Sequence, residues 1–488
     1  MIVACPGVTR RRNRIRLIDC CGRLAFFNHI NNLQALMNGF SPFRISEEFI
    51  SAMDTQRQPY DISFSEKLNV FSKDYLECCQ YISKFDTSRY VFTKKLYSKL
   101  ISPSQLIEDF LDFHGAKNSK DWYFYRELTA AVRHLSLGGY SQKHISNRLQ
   151  FYDLPDSGEF KAEGFRTLDF LTSSLMKMAP VILEEARRLH IRIPENRLSP
   201  NDFPGVTTSE MLEFDIDDEN RDLQKKNIVK IASEFLSIAS QLDHLRFYEP
   251  YKKAQLLKIV PETVNEVEIR RFEMLVHNLQ SSFDTYVIYG GYRFGERKFK
   301  QLRGFFSVVF HLLQMIGRLL HFYERHLHEA GYKSIYKTVQ TRLTQLVDPE
   351  VLLERTVNYG IYYTCHFLNV GKDLAQEILN DNIERTAITT GIPVKLGFHS
   401  RPSLLVAKIV QHYGGRVELC VGEDRFDASS VLDLQWAGGK IQKEDITQVR
   451  FEGDARALRD IEILAGVNYG EDSMGKGTPL PKELSYLR

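Results

Sequence analysis

The chain has 488 residues, 43% hydrophobic and 26% charged, with 64 basic against 62 acidic side chains. That length is too great for one ordinary core and calls for two to four domains of roughly 100 to 200 residues each. The composition is that of a soluble globular protein, and the balance of charge excludes a global electrostatic case for nucleic-acid binding.

The N-terminus carries Arg10, Arg11, Arg12, Arg14 and Arg16 with no apolar segment behind them. That pattern argues against an export signal and predicts a cytoplasmic protein. Seven cysteines, four of them in the adjacent pairs Cys20–Cys21 and Cys78–Cys79, fit neither a disulfide framework nor a CxxC zinc spacing, so reduced and mostly buried thiols are expected. Residues 1–155 read as an irregularly helical region ending near Pro155. Phe165 to His190 is a long helix candidate, and Pro194 to Thr208, rich in Pro, Asn, Ser and Thr, is a connecting loop. Asp215, Asp217, Asp218 and Glu219 have the charge of a calcium loop but lack its glycine, and read as an acidic surface loop.

Residues 156–385 read as a helical bundle. Ile231, Phe235, Leu236, Ile238 and Leu242 line one helix face. Further helices are expected at Val267 to Ser281, Phe305 to Ala330, Ile335 to Val347 and Pro349 to Leu379. Asp348 caps the last of them with Pro349 at its first position, and Gly331 ends an earlier one. The run Phe305 to Leu320 is broken by His311 and Arg318 and is short for a membrane span, so it predicts a core helix and no membrane partner. His321, Glu324 and His328 share a helix face and could supply metal ligands, but a solvated or inter-helix polar face is the better account of them, and no metal or other cofactor is expected. Arg293, Arg297, Lys298, Lys300 and Arg303, interleaved with Tyr292, Phe294 and Phe299, form one basic stretch in a nearly neutral chain, too little to predict a nucleic-acid partner.

Near Thr386 the pattern changes to β-branched residues. Val417, Leu419 and Val421 alternate with polar neighbours, as do Thr447, Val449 and Phe451, in the manner of half-buried strands. Helices are expected at Arg401 to Tyr413, Ser429 to Trp436 and Asp454 to Leu464, with Gly439 to Gln442 as a short extra strand. Between the first strand and the first helix lies Gly397-Phe398-His399-Ser400-Arg401-Pro402-Ser403. The first-turn amides of a helix lack intrahelical acceptors and carry partial positive charge, so they bind phosphoryl oxygens. Arg401 adds a planar set of donors suited to phosphate, and a neutral histidine offers a ring nitrogen as nucleophile.

This run resembles the active-site signature of the HPr family, the histidine phosphocarriers of bacterial sugar phosphotransferase systems. Gly422 to Gly438, containing Asp427-Ala428-Ser429-Ser430-Val431-Leu432, resembles that family's regulatory-serine segment. The resemblance covers roughly residues 386 to 466. It implies an α/β open-faced sandwich of order β-α-β-β-α-β-α, with His399 carrying phosphate on its δ nitrogen. Arg401 would support the phosphoryl group, with Ser400, Pro402 and Ser403 around it. Ser430 would stand where a regulatory serine kinase acts, and Leu404, Val431 and Leu432 would lie in the surface that docks an enzyme I-like phosphoryl donor. Leu404, in place of a small residue, and Asp433 depart from the family pattern. The plainer reading of Ser430 is a helix cap, and that of His399 a surface histidine on a retained fold. Residues 471–488, with Gly475-Lys476-Gly477-Thr478, read as a flexible tail.

The sequence thus predicts a multidomain chain: a mainly α-helical N-terminal region (1–155 and 156–385), an HPr-like domain at 386–470, and the tail. The expected function is regulatory, a phosphoryl-accepting domain coupled to a helical module with an unidentified protein partner. The alternatives are a helical enzyme regulated by that domain in cis, or an interaction module that carries no phosphate.

Overall fold

The structure is a computed structural model that describes residues 63–155, 157–205, 221–243, 247, 249–288, 297–328, 334–394 and 396–487. The arginine-rich N-terminus, Cys20 and Cys21, the acidic run at 215–219, Tyr292, Arg293, Phe294 and Gly331 lie outside the described residues.

Long amphipathic helices build the first core. They are α1 (Phe64–Ser83), α2 (Lys94–Phe113), α3 (Tyr123–Arg148), α4 (Ser157–Arg188), α5 (Arg221–Asp243), the short α6 (Lys253–Ile259), α7 (Glu266–Phe283), α8 (Arg297–Phe322), α9 (Ser334–Leu346), the short α10 (Pro349–Leu353) and α11 (Tyr362–Asn382). Asp348 caps α10 as its spacing predicts, accepting from the amides of Glu350 and Val351. Among the described residues, three wider turns with i→i+5 hydrogen bonding interrupt the regular helix, at Asp284–Ile288, Tyr323–His328 and Glu354–Ile361.

One continuous hydrophobic cluster runs from Leu68 to Leu379, so the expected boundary near Pro155 is not a boundary between cores. The reason is visible at α3 and α8. Gly304 lets α8 approach the chain so closely that a Cβ there would lie 2.4 Å from the carbonyl oxygen of Tyr152, and Ser307 Oγ donates to Tyr152 Oη at 2.9 Å. The segment just before Pro155 is therefore clamped against α8. Arg297–His328 is long and apolar enough to cross a membrane by composition, but 72% of its most apolar window is buried in the protein. It is the central helix of the bundle. Cys78, Cys79 and Cys365 are buried free thiols.

The second core sits under a four-stranded antiparallel sheet of order β1-β4-β2-β3: β1 (Arg385–Gly391), β2 (Val417–Val421), β3 (Asp424–Asp427) and β4 (Gln448–Asp454). The register runs Arg385↔Asp454 to Gly391↔Gln448 and Val417↔Gly453 to Cys420↔Arg450. Val417, Leu419, Val421, Val449 and Phe451 face α12 (Ser400–Tyr413), α13 (Val431–Lys443) and α14 (Ala455–Gly466). The other face carries Glu418, Arg425, Arg450 and Glu452, with Arg425 Nη1 2.7 Å from Glu452. The sheet is therefore covered on one side and open on the other. Gly439 to Gln442 is not a strand: it continues α13, because Ala437 and Ile441 keep helical spacing into the core.

Only Ile383 and Glu384 separate α11 from β1. The turn after α12 rests on the bundle, where Ser233 Oγ donates to Tyr413 O at 3.3 Å, the Arg416 amide donates to Asn380 Oδ1 at 3.0 Å, and Gln376 donates to Gly414 O.

Residues 471–487 are not a loose tail. Leu484 and Leu487 are buried in the second core, and the chain between them and α14 folds back as a hairpin. In that hairpin Asp472 Oδ1 accepts from the amides of Met474 and Lys476, both at 2.8 Å. Sequence composition hid this because the anchoring leucines lie beyond a Gly-rich turn. Leu484→Ala should lower stability in denaturant unfolding by roughly 2–4 kcal/mol, as expected of a buried leucine.

His144 on α3 and His311 on α8 stand with ring centroids 3.9 Å apart. Burial, then His311 and Lys94, push His144 down to about 3, and burial pushes His311 down to about 4. Unfolded histidine titrates near 6.5. Between about pH 6.5 and 4 the unfolded chain therefore binds protons that the folded chain refuses, and stability falls as the pH falls. The melting temperature should drop from pH 7 to pH 5, and the drop should be smaller in His311→Leu.

Candidate functional site

The strand-to-helix junction is built by short-range chemistry. Gly397 has φ +60°, a left-handed conformation suited to glycine, and its carbonyl accepts from the His399 amide at 2.8 Å. Phe398 turns inward against Phe451 and Tyr469. Buried Ser403 donates from Oγ to the Phe398 carbonyl at 3.0 Å and closes the turn. His399 is thereby placed at the N-cap of α12, its own side chain making no capping bond. Ser400 and Arg401 supply first-turn amides, while Pro402, buried, has none to offer and fits the first turn without loss.

The residue that sequence reasoning missed is Glu471. His399 Nε2 lies 3.0 Å from Glu471 Oε2 and 2.9 Å from Oε1. The glutamate is buried at 4% exposure, whereas the histidine keeps 29% of its side chain in solvent. A carboxylate accepts hydrogen bonds, so the pairing fixes the proton on Nε2 and the lone pair on Nδ1. Glu471 is itself held by the hairpin: its carbonyl accepts from Asn468 Nδ2 at 3.2 Å, and Asn468 Oδ1 accepts from the Val394 amide at 3.0 Å. Tyr469 locks the base of the hairpin, its hydroxyl donating to Gly391 O at 2.8 Å, and burial pushes that phenol up to about 12.

The same hairpin reaches Arg401. Gly477, bridged to Glu471 in antiparallel pairing, lies so close that a Cβ there would meet the guanidinium at 2.4 Å. The structure thus brings His399, Ser400, Arg401 and Glu471 together. An exposed guanidinium, two helix amides and an oriented imidazole form an arrangement that can hold a phosphoryl group.

Ser430 is the N-cap of α13: its Oγ accepts from the Asp433 amide at 3.2 Å and donates to Asp433 Oδ1 at 3.1 Å. Of the expected docking residues, Leu404 and Leu432 are exposed, at 44% and 63%. Val431 differs, being half-buried against the second core. Val394, Leu396 and Trp436 add further exposed apolar side chains, and α13 is tied to the histidine's helix by Gln435 Nε2, 3.3 Å from Ser400 Oγ.

In the bundle, the grouping of His321, Glu324 and His328 does not form. His328 is exposed and stacks on Tyr323, and Glu324 Oε1 accepts from the Glu266 amide at 2.8 Å. Instead His134 and His326 join His321, their ligand atoms all within 4.8 Å of one another. Beside them is a cavity of about 370 Å³ lined by Tyr123, Arg126, Glu127, His321, His326 and Tyr336, among others. Arg126 pairs with Glu108, Asp112 and Glu127 at 2.7 to 2.9 Å. Burial alone would raise Glu127, but His326 and Arg126 beside it hold it below the usual carboxylate range. The basic stretch is largely neutralised: Arg297 pairs with Asp153, Lys298 with Glu377 and Asp381, and Arg303 with Asp284. Phe299 is buried.

No protein-family model matches the chain, and neither a curated protein nor a solved structure does.

Proposed function

We propose that residues 385–487 are an HPr-like phosphoryl carrier, with His399 Nδ1 as the accepting atom and the helical bundle as the module through which its state is read. The observation that carries this reading is the His399–Glu471 pair at the start of α12. It leaves the lone pair on Nδ1, and it places a negative charge behind the imidazole, where phosphorylation creates a positive one. In the transfer the donor's bond to phosphorus breaks and the P–Nδ1 bond forms, while the Nε2 proton stays on the imidazole and is donated to Glu471. The helix amides and Arg401 take up the phosphoryl oxygens. The order β-α-β-β-α-β-α and the open sheet face support the resemblance. The exposed leucines and Trp436 beside the site supply an apolar docking surface for an enzyme I-like donor. Ser430 stands at a helix N-terminus, where added phosphate would be favoured by the dipole and opposed by Asp433.

With phosphoenolpyruvate and an enzyme I, the protein should gain one acid-labile, base-stable phosphate, and His399→Ala should lose it. Glu471→Gln should slow transfer about 10- to 100-fold, the rate equivalent of the roughly 1.5–3 kcal/mol of a charged hydrogen bond. Label that survives His399→Ala in full would place the site elsewhere.

The dock lies at the opposite end of α12 from His399. Fourteen helical residues span about 21 Å, well beyond a Debye length of about 8 Å at physiological salt. The phosphoryl charge therefore acts on the bundle through α12 rather than through space. Phosphorylation should alter hydrogen exchange at residues 396–403 and 471–478. Within the bundle, changes should be confined to the dock at residues 233–236 and 376–380. Unchanged exchange throughout the bundle would make the carrier an independent appendage.

A further inference from the structure

The bundle contains a second site that the phosphocarrier reading does not use. His321 Nδ1 lies 2.8 Å from Glu266 Oε2, and His326 Nδ1 lies 2.6 Å from Glu127 Oε2. Each carboxylate accepts a hydrogen bond from Nδ1–H and so leaves Nε2 as the lone-pair nitrogen. This is the outer-shell arrangement that fixes the tautomer of a metal-bound histidine. The backbone cooperates: His326 is in the wide turn Tyr323–His328. In a regular helix of 3.6 residues per turn, a residue five positions after His321 would point well away from it, whereas i→i+5 winding brings it back to the same side.

The third histidine comes from another helix. His134 of α3 is 1% exposed, its Nδ1 has no hydrogen-bond partner, and its ring stacks on that of His321 at 4.3 Å.

We propose that His134, His321 and His326 form a three-histidine site for a zinc-class divalent transition metal, with its open coordination position facing the 370 Å³ cavity. An all-imidazole donor set suits zinc, and three protein ligands with a fourth position open is the arrangement of catalytic rather than structural zinc. The ligand atoms now span up to 4.8 Å, against about 3.4 Å between nitrogens around a tetrahedral zinc with bonds of about 2.0–2.1 Å. Closure by an ångström or so completes the site. The competing cation is Arg133, whose Nη2 lies 3.1 Å from His134 Nε2. It already pairs with Glu108 through Nε at 2.6 Å, so it can give up the histidine while keeping its counter-ion. Glu127 and Glu266 stand behind two of the ligands, each shared with an arginine, Arg126 and Arg270.

The test uses the full chain, stripped with chelator and dialysed against micromolar zinc or cobalt. The wild type should retain one equivalent of zinc by mass spectrometry and melt at a higher temperature than the stripped protein. With cobalt it should develop the visible ligand-field bands of a nitrogen-coordinated, low-symmetry site. His321→Gln and His134→Gln should abolish retention, and Glu127→Gln should weaken affinity about 10- to 100-fold. His328→Ala, outside the cluster, should bind as the wild type does. A wild type that keeps no stoichiometric metal and shows no cobalt bands overturns the site, whatever the variants do. Metal kept in full by a folded His134→Gln/His321→Gln double variant overturns it equally. Neither measurement touches His399, so the outcome is independent of the phosphocarrier reading.

Discussion

A carboxylate removed almost wholly from water needs a hydrogen-bonding or charged partner close by, and for Glu471 that partner is His399. Much of the C-terminal architecture serves to keep this pair assembled. Leu484 and Leu487 pin the end of the chain, Tyr469 fixes the start of the hairpin against β1, and Asp472 tightens the turn between them. The histidine is supported from the other side by the closed turn at Phe398 and Ser403. Neither residue is positioned by the other alone: one arrives on a helix N-terminus and the other on a strap, and the two are 72 residues apart.

What the sequence disclosed and what it withheld divide along this line. The Gly397-to-Ser403 run was legible because its structure is local: glycine for a left-handed turn, a capping position, proline in the first turn. The bundle helices were legible through periodicity, and Asp348 through the proline after it. Glu471, His134 and the dock at Gly414 were not, because each acquires its role from a partner far away in the chain. The extra strand at Gly439 to Gln442 failed for a different reason: the helical spacing of Ala437 and Ile441 carries α13 through the Gly438-Gly439 pair. Pro155 stands two residues before α4, and one hydrophobic cluster spans it.

Charge is treated differently on the open sheet face and inside the bundle. On the sheet face Arg425 and Arg450 sit over Glu418 and Glu452 in solvent, and such pairs contribute little to stability. The bundle buries Arg126 with Glu108 and Glu127 at a few per cent exposure. Buried pairs of that kind are costly to assemble and costlier to break. A polar interior beside a cavity is thus a concession of stability, and such concessions are commonly found where a protein handles a ligand.

The wide turn at Tyr323–His328 gives the bundle an unusual sensitivity to chain length. A helix that takes an extra residue into one turn behaves as if it had accepted an insertion without forming a loop. Removing a single residue there would let α8 wind on regularly, with no core side chain lost upstream. Yet every position after the deletion would rotate by about 100° relative to α3, and His326 would leave the side of the helix it shares with His321. Among descendants of this chain, single-residue gaps at that point would separate those that keep the cavity's histidines from those that keep only the fold.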